Sequence, residues 1–297
     1  MSPSIIEKMG FEKDDRVVIV HIDDMAMSHA ANEASFECLE FGIASCGSVI
    51  APAPWLMEAA LKYQKNKHFD VGVHLTLTCE YDTYRWRPLS SVDPKTGLFD
   101  EEGYFWKTVE QAAANVDPEA ATEEMRSQIE LALHNGIDVT HIDSHMGTIF
   151  HPKFIQGYLS IAKEYRVPAL LPRPTKELIE AKGLGEYTDL LQGFMKQLEK
   201  SELPFIDYVV DHPLGKSEER TTIYMQLFDS LKPGLTHLYF HPAKNRSELK
   251  ALSHHSIPGR HEDYLAFTDP KLKEHVERIG VKIIGYREIR KFIRENL

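Results

Sequence analysis

Short apolar runs recur along this chain, and each closes on a cluster of polar side chains. Val17, Val18, Ile19 and Val20 lead into His21, Asp23 and Asp24. Val71, Gly72 and Val73 lead into His74. Ile137 and Val139 lead into Thr140, His141, Asp143, Ser144 and His145. An unbroken apolar run suits a strand buried on both faces, as in a parallel sheet. The stretches between the runs carry helix signals. Ser28 is placed to cap a helix over 29–41, and Pro118 opens a helix over 118–135 that Gly136 stops.

Read this way, strands are expected over 17–22, 47–51, 71–77, 139–142, 169–171, 206–210, 235–240 and 281–284. Helices are expected over 55–66, 152–165, 175–200 with a break near 183–185, 218–231, most of 261–279, and 286–296. Strands that alternate with helices of this length form βα units around a parallel sheet. No stretch reads as a linker. The expected fold is α/β, an irregular, distorted TIM-like (β/α) barrel in a single domain over 1–297. Residues 80–115 interrupt the alternation with Tyr81, Tyr84, Trp86, Tyr104, Phe105 and Trp106. A long excursion of this kind reads either as packed surface or as the wall of a cleft in which sugars stack on aromatic faces.

The chain of 297 residues is 42% hydrophobic, enough for a core that needs no staples. Its formal net charge of −11 argues against nucleic acid and against an anionic membrane as partners. No run approaches the roughly 18 apolar residues of a membrane span. The first residues do not read as a signal peptide, and Cys38, Cys46 and Cys79 have no disulfide or metal spacing, so a cytoplasmic protein is expected. Phosphate-loop and Ser-nucleophile motifs are absent from the sequence.

The polar clusters carry the chemistry. Carboxylates and imidazoles are ligands for divalent cations, and strand C-termini are where such folds assemble sites. Asp23 and Asp24 point to opposite sides on a regular strand but can both reach a site where the strand ends; as a pair they equally suit a helix N-terminus. His74 reads as a ligand or as a hydrogen-bonded core histidine. His141, Asp143 and His145 alternate, so an extended backbone puts them on one face, with Asp143 able to orient a neighbouring imidazole. His212 and His241 each follow a late strand, as proton donors or as turn residues before a proline. Arg173 follows the 169–171 run and is a candidate for holding a substrate oxygen, and His254 and His255 read as solvated.

These residues resemble the YdjC-like carbohydrate deacetylases, which include chitooligosaccharide deacetylases. The resemblance rests on the strand ending in Asp23-Asp24, on Gly72 to Thr78 with His74, on Thr140 to His145, on His241-Pro242-Ala243, and on Tyr286-Arg287. It implies a distorted (β/α) barrel, metal ligation by Asp24, His74 and His145, Asp23 as the base and His241 as the acid. It also implies an N-acetylated carbohydrate as substrate, a divalent ion such as magnesium or zinc, and a homodimer. Many members have Asn-Ala-Asp-Asp-Phe-Gly where this chain has His21 to Ala26, and continue in histidines where it has Met146 and Gly147. The chain therefore looks like a divergent branch.

The expected function is metal-dependent removal of an acetyl group from an N-acetylated sugar or oligosaccharide, with His141, Asp143, Arg173 and Trp86 shaping the site. Two other readings stand beside it: a sugar-binding or regulatory protein that has lost efficient chemistry, and a hydrolase of a glycosidic or phosphate ester bond. Free acetate, reducing ends or phosphate would distinguish them.

Overall fold

Val17, Val18, Ile19, Val20 and Ile22 are each no more than 1% exposed, as a strand covered on both faces requires. The structure, a computed structural model, describes residues 5–173, 185, 204–215, 219–252 and 257–296. Its sheet contains β1 (Arg16–Met25), β2 (Cys46–Val49), β3 (Val71–Leu75), β4 (Ile142–Ser144), β5 (Tyr208–Val210), β6 (Gly234–Phe240) and β7 (Lys282–Ile284). The strands run β4-β3-β2-β1-β6-β5, with β7 also on β1, and every pairing is parallel.

The long first strand organises the sheet. One edge of β1 pairs with β6 from Arg16 to Ile22. The other edge pairs with β7 at Val17 to Ile19 and with β2 from His21 onward. Single parallel bridges, Ile142↔Ala169 and Pro172↔Ile206, carry the pairing from β4 round to the residues before β5. The result is the expected distorted (β/α) barrel. Because all strands are parallel, their C-terminal ends share one rim, which holds Asp23, Asp24, His74, Ser144 and the residue after β6, His241.

Helices cover the outside of the sheet. Ser28 caps the helix His29–Glu40, its hydroxyl accepting the Ala31 N–H at 3.0 Å. Asp117 and Pro118 open the helix Pro118–His134, whose buried face includes Ala121, Met125, Gln128, Ile129 and Ala132. Two polar residues of that face also do structural work. Gln128 clamps both backbone groups of Thr76, just past β3, at 3.0 and 2.7 Å. Glu124 is buried and accepts the backbone N–H groups of Leu89 and Ser90 at 2.9 and 2.8 Å. The excursion is thereby packed down: Tyr81, Trp86, Leu98 and Phe105 are buried, and Trp106 donates to the Gly97 carbonyl at 2.7 Å.

Several element bounds differ from the sequence reading. β4 covers Ile142–Ser144, later than 139–142, because the polar residues here face partners inside the barrel and the strand continues through them. Residues 169–171 form no strand; Ala169 makes a single bridge, as does Pro172 just after them. Apart from residue 185, the expected helix over 175–200 lies outside the described residues, as does the pair His254–His255. No described helix is long and apolar enough to cross a membrane.

Candidate active site

A bulge makes neighbouring carboxylates converge. The β1–β2 register shifts between Ile22 and Met25, and Asp24 sits at φ +62°. On a regular strand Asp23 and Asp24 would face opposite ways; the extra residue of a bulge re-aims one of them. Asp23 Oδ2 lies 3.9 Å and Asp24 Oδ1 3.4 Å from the same His74 Nε2. A non-glycine residue held in the left-handed region costs on the order of 1 kcal/mol, the kind of strain that collects at functional sites.

Asp24, His74 and His145 form a cluster in which one ligand atom from each lies within 4.8 Å of the others. His145 Nδ1 is 3.2 Å from Asp24 Oδ1. Ligand atoms about 2.1 Å from one ion stand about 3.0 to 3.4 Å from each other, so the 3.2 and 3.4 Å separations fit a shared cation. Each ligand is also held from behind. His74 Nδ1 is 3.0 Å from Asp143, which in turn accepts the Ser48 hydroxyl at 2.9 Å. Arg260 donates to Asp24 Oδ2 at 2.7 Å, and Glu80 lies 2.9 Å from His145 Nε2.

The charge balance suits a cation. Burial pushes the Asp24 carboxyl up, but Arg260, His145 and His74 outweigh it and hold the group well below the usual carboxylate range. Burial pulls the His145 imidazole down, yet Glu80 and Asp24 raise it to about 9. His74 likewise overcomes its burial and is raised well above its ordinary value by Asp143 and Asp23. Two buried imidazoles that hold protons this firmly mark a strongly negative pocket. A divalent cation would displace those protons and answer the same field.

A second layer lies below the rim. His21 Nδ1 contacts Asp23 Oδ1 at 2.8 Å, and His21 Nε2 contacts His141 Nε2 at 2.8 Å. Tyr286 stacks on His141 with ring centroids 4.1 Å apart, and its hydroxyl lies 3.1 Å from His237 Nδ1. The His141 ring fills the space beside Gly72, where a Cβ would come within 2.6 Å of it.

Most of the residues singled out in the sequence meet here. Asp23, Asp24, His74, Asp143 and His145 form the rim cluster, and His141 sits one layer down. His241 Nε2 is 3.8 Å from Asp23 Oδ2, and its backbone N–H is held by Asp263 at 3.0 Å. Trp86 is buried, its ring edge-on to His145 at 5.9 Å and its N–H on the Thr78 carbonyl. Arg173 is not brought to this group: it pairs with Asp207 at 2.8 Å, beside the N-terminal end of β6. Glu80, Arg260, His21 and His237 were given no role from sequence. Only His21 carried a signal, its place in the polar cluster that ends β1.

Comparison with known proteins agrees with this architecture. The family model described as YdjC-like protein matches residues 17–278. A carbohydrate deacetylase of Thermus thermophilus is 32% identical over 269 residues, covering 91% of this chain and 92% of that one. A carbohydrate deacetylase of Thermoanaerobacter pseudethanolicus is 26% identical over 281 residues, 95% of each. The fold resembles the crystal structure of an Enterococcus faecalis V583 protein provisionally assigned to cellobiose-phosphate cleavage. The TM-score is 0.75 at 22% identity, over 93% of this chain and 99% of the other.

Proposed function

The chain belongs to the YdjC-like protein family, and from that membership we propose that it removes the acetyl group from an N-acetylated sugar or oligosaccharide with a divalent metal ion, magnesium or zinc, as cofactor. Relatives named carbohydrate deacetylases support the deacetylase chemistry. The observation that carries the reading is the convergence of Asp23 and Asp24 on His74 Nε2, which joins an ionised carboxylate to a ligand cluster.

Asp24, His74 and His145 would hold the ion. Bound there, a divalent cation supplies Lewis acidity toward the acetyl carbonyl and makes an attacking water more acidic. Asp23 takes the water's proton. Its Oδ1 is engaged by His21, which leaves Oδ2 facing His74 and His241. His241 then delivers a proton to the departing amine, which leaves poorly without one. Asp263 fixes the backbone of His241, and Asp143 fixes the ring of His74. We assign the protein to the cytoplasm, in keeping with three buried free cysteines.

The test is acetate release from a panel of N-acetylated sugars by metal-stripped protein, with and without added zinc or magnesium. Metal-dependent acetate that disappears in folded His74→Ala and His145→Ala proteins is the expected result. Reducing ends or phosphate without acetate would replace this reading with hydrolysis of another bond.

A further inference from the structure

A single file of hydrogen bonds runs from the rim down the inside of the barrel. It passes from Asp23 Oδ1 to His21 Nδ1 at 2.8 Å, then from His21 Nε2 to His141 Nε2 at 2.8 Å. His141 Nδ1 meets the Thr140 hydroxyl at 2.9 Å, and that hydroxyl bonds Asp70 Oδ1. The other Asp70 oxygen accepts the Arg287 N–H at 2.6 Å, so the file ends there. His21, His141, Thr140 and Asp70 are all buried.

The protons in this file can be counted. A carboxylate only accepts, a neutral imidazole has one N–H and one acceptor nitrogen, and a hydroxyl has one proton. Ionised Asp23 needs the proton on His21 Nδ1. A neutral His21 then accepts at Nε2, so the proton between the rings sits on His141 Nε2. His141 Nδ1 accepts in turn from Thr140. Thr140 now has nothing to give Asp70, so Asp70 must carry a proton and donate it. The same number of protons permits complete arrangements with Asp70 ionised as well, the extra proton then sitting on His21, on His141 or on Asp23. With one proton fewer, one of the four links must go without a donor; when Thr140 turns to serve an ionised Asp70 and the neutral rings turn with it, the link that loses its donor is the one to Asp23.

We propose that Asp70, at the far end of this file, is a positioning residue for Asp23: through Thr140 and His141 it holds the one proton that keeps a His21 donor on the Asp23 carboxylate. The value of that donor rests on the reading of Asp23 as the base. The surroundings of Asp70 favour such a role. Burial pushes its carboxyl up to about 6, against the Thr140 and Arg287 hydrogen bonds. The charged and titratable groups facing it are Arg287, Glu288, Arg290, Cys46 and His141; those facing His21 are Asp23, His141, His237 and Asp143, whose Oδ2 is 3.4 Å from His21 Nε2. Stacking on Tyr286 and the absence of a side chain at Gly72 hold the His141 ring in line.

The test is ring-nitrogen NMR of histidine-labelled full-length protein across about pH 5 to 8, with His21→Gln assigning the His21 signals. In the native protein the His21 ring should change state as Asp70 ionises. Asp70→Asn accepts from Arg287 through its carbonyl and donates to Thr140 at every pH. His21 should then keep its Nδ1 proton throughout, with loss of the pH-dependent shift. In Thr140→Val the Asp70→Asn change should no longer alter the His21 signals, and Thr140→Ser should restore the link. The proposal is overturned if His21 follows the same pH course in native and Asp70→Asn proteins, or if Thr140→Val leaves the coupling intact. These spectra need no turnover, so an inactive protein with the coupling intact would count against the deacetylase reading alone.

Discussion

His74 and Asp143 are register partners across the β3–β4 pair, and the His74 Nδ1 lies 3.0 Å from the Asp143 carboxylate. That contact fixes the ring so that Nε2 faces Asp24. A carboxylate behind a ligating imidazole orients it and raises its basicity. Asp143→Asn should therefore weaken zinc binding by roughly 10- to 100-fold with the fold retained. Titration of metal-stripped protein measures this, and an unchanged affinity would remove Asp143 from the metal centre.

Asp23 is the proposed base, and its loss should separate turnover from metal binding. Asp23→Asn should bind zinc as the native protein does and release acetate roughly 10²- to 10⁴-fold more slowly, the usual contribution of a general base. Native turnover in this variant would assign the proton transfer elsewhere.

Gly72 has no room for a side chain. A Cβ there would lie 2.5 Å from the His141 carbonyl oxygen and 2.6 Å from its ring. Gly72→Ala should destabilise the protein by about 1–3 kcal/mol, the usual effect of overpacking. Denaturant melts test this, and an unchanged midpoint would show that the ring and the backbone at His141 both give way freely.

Glu124 should hold the aromatic-rich excursion through Leu89 and Ser90. Glu124→Ala leaves donors without their acceptor, at about 1–3 kcal/mol. Faster amide exchange at Leu89 and Ser90 than at β1 is the expected signature. Uniform protection would mean that the excursion is held by its apolar contacts instead.

Burial, followed by the neighbouring His21, pulls the His237 imidazole down to about 3. Its unfolded value is about 6.5. The folded value is the lower one, so the unfolded chain binds the extra proton first. The contribution to stability is full above about pH 6.5 and is lost as the pH falls toward about 3. His237→Phe should flatten the acid side of the stability curve in that window, as read from denaturant midpoints at successive pH values. A curve parallel to that of the native protein would mean that other groups carry the acid transition.

The legible parts of this protein were local ones. The run from Val17 to Ile22 spelled a doubly buried strand, Ser28 and Asp117–Pro118 capped their helices as such residues do, and the alternation of His141, Asp143 and His145 placed three groups along one inward line. Parallel strands then required a common rim, so Asp23, Asp24, His74 and His145 could be grouped from their places at strand ends. Other features were decided only by the closed sheet. Asp24 turns inward through a bulge that depends on the pairing of β1 with β2. Arg260 reaches Asp24 across 236 residues of chain, and Asp70 reaches Thr140 across 70. Arg173 follows a run much like the others but pairs with Asp207 at the opposite end. Periodicity and capping are properties of neighbouring residues, and so they are written in the sequence. Which distant side chains meet depends on strand register and ring closure, and those are settled by the packing of the whole sheet.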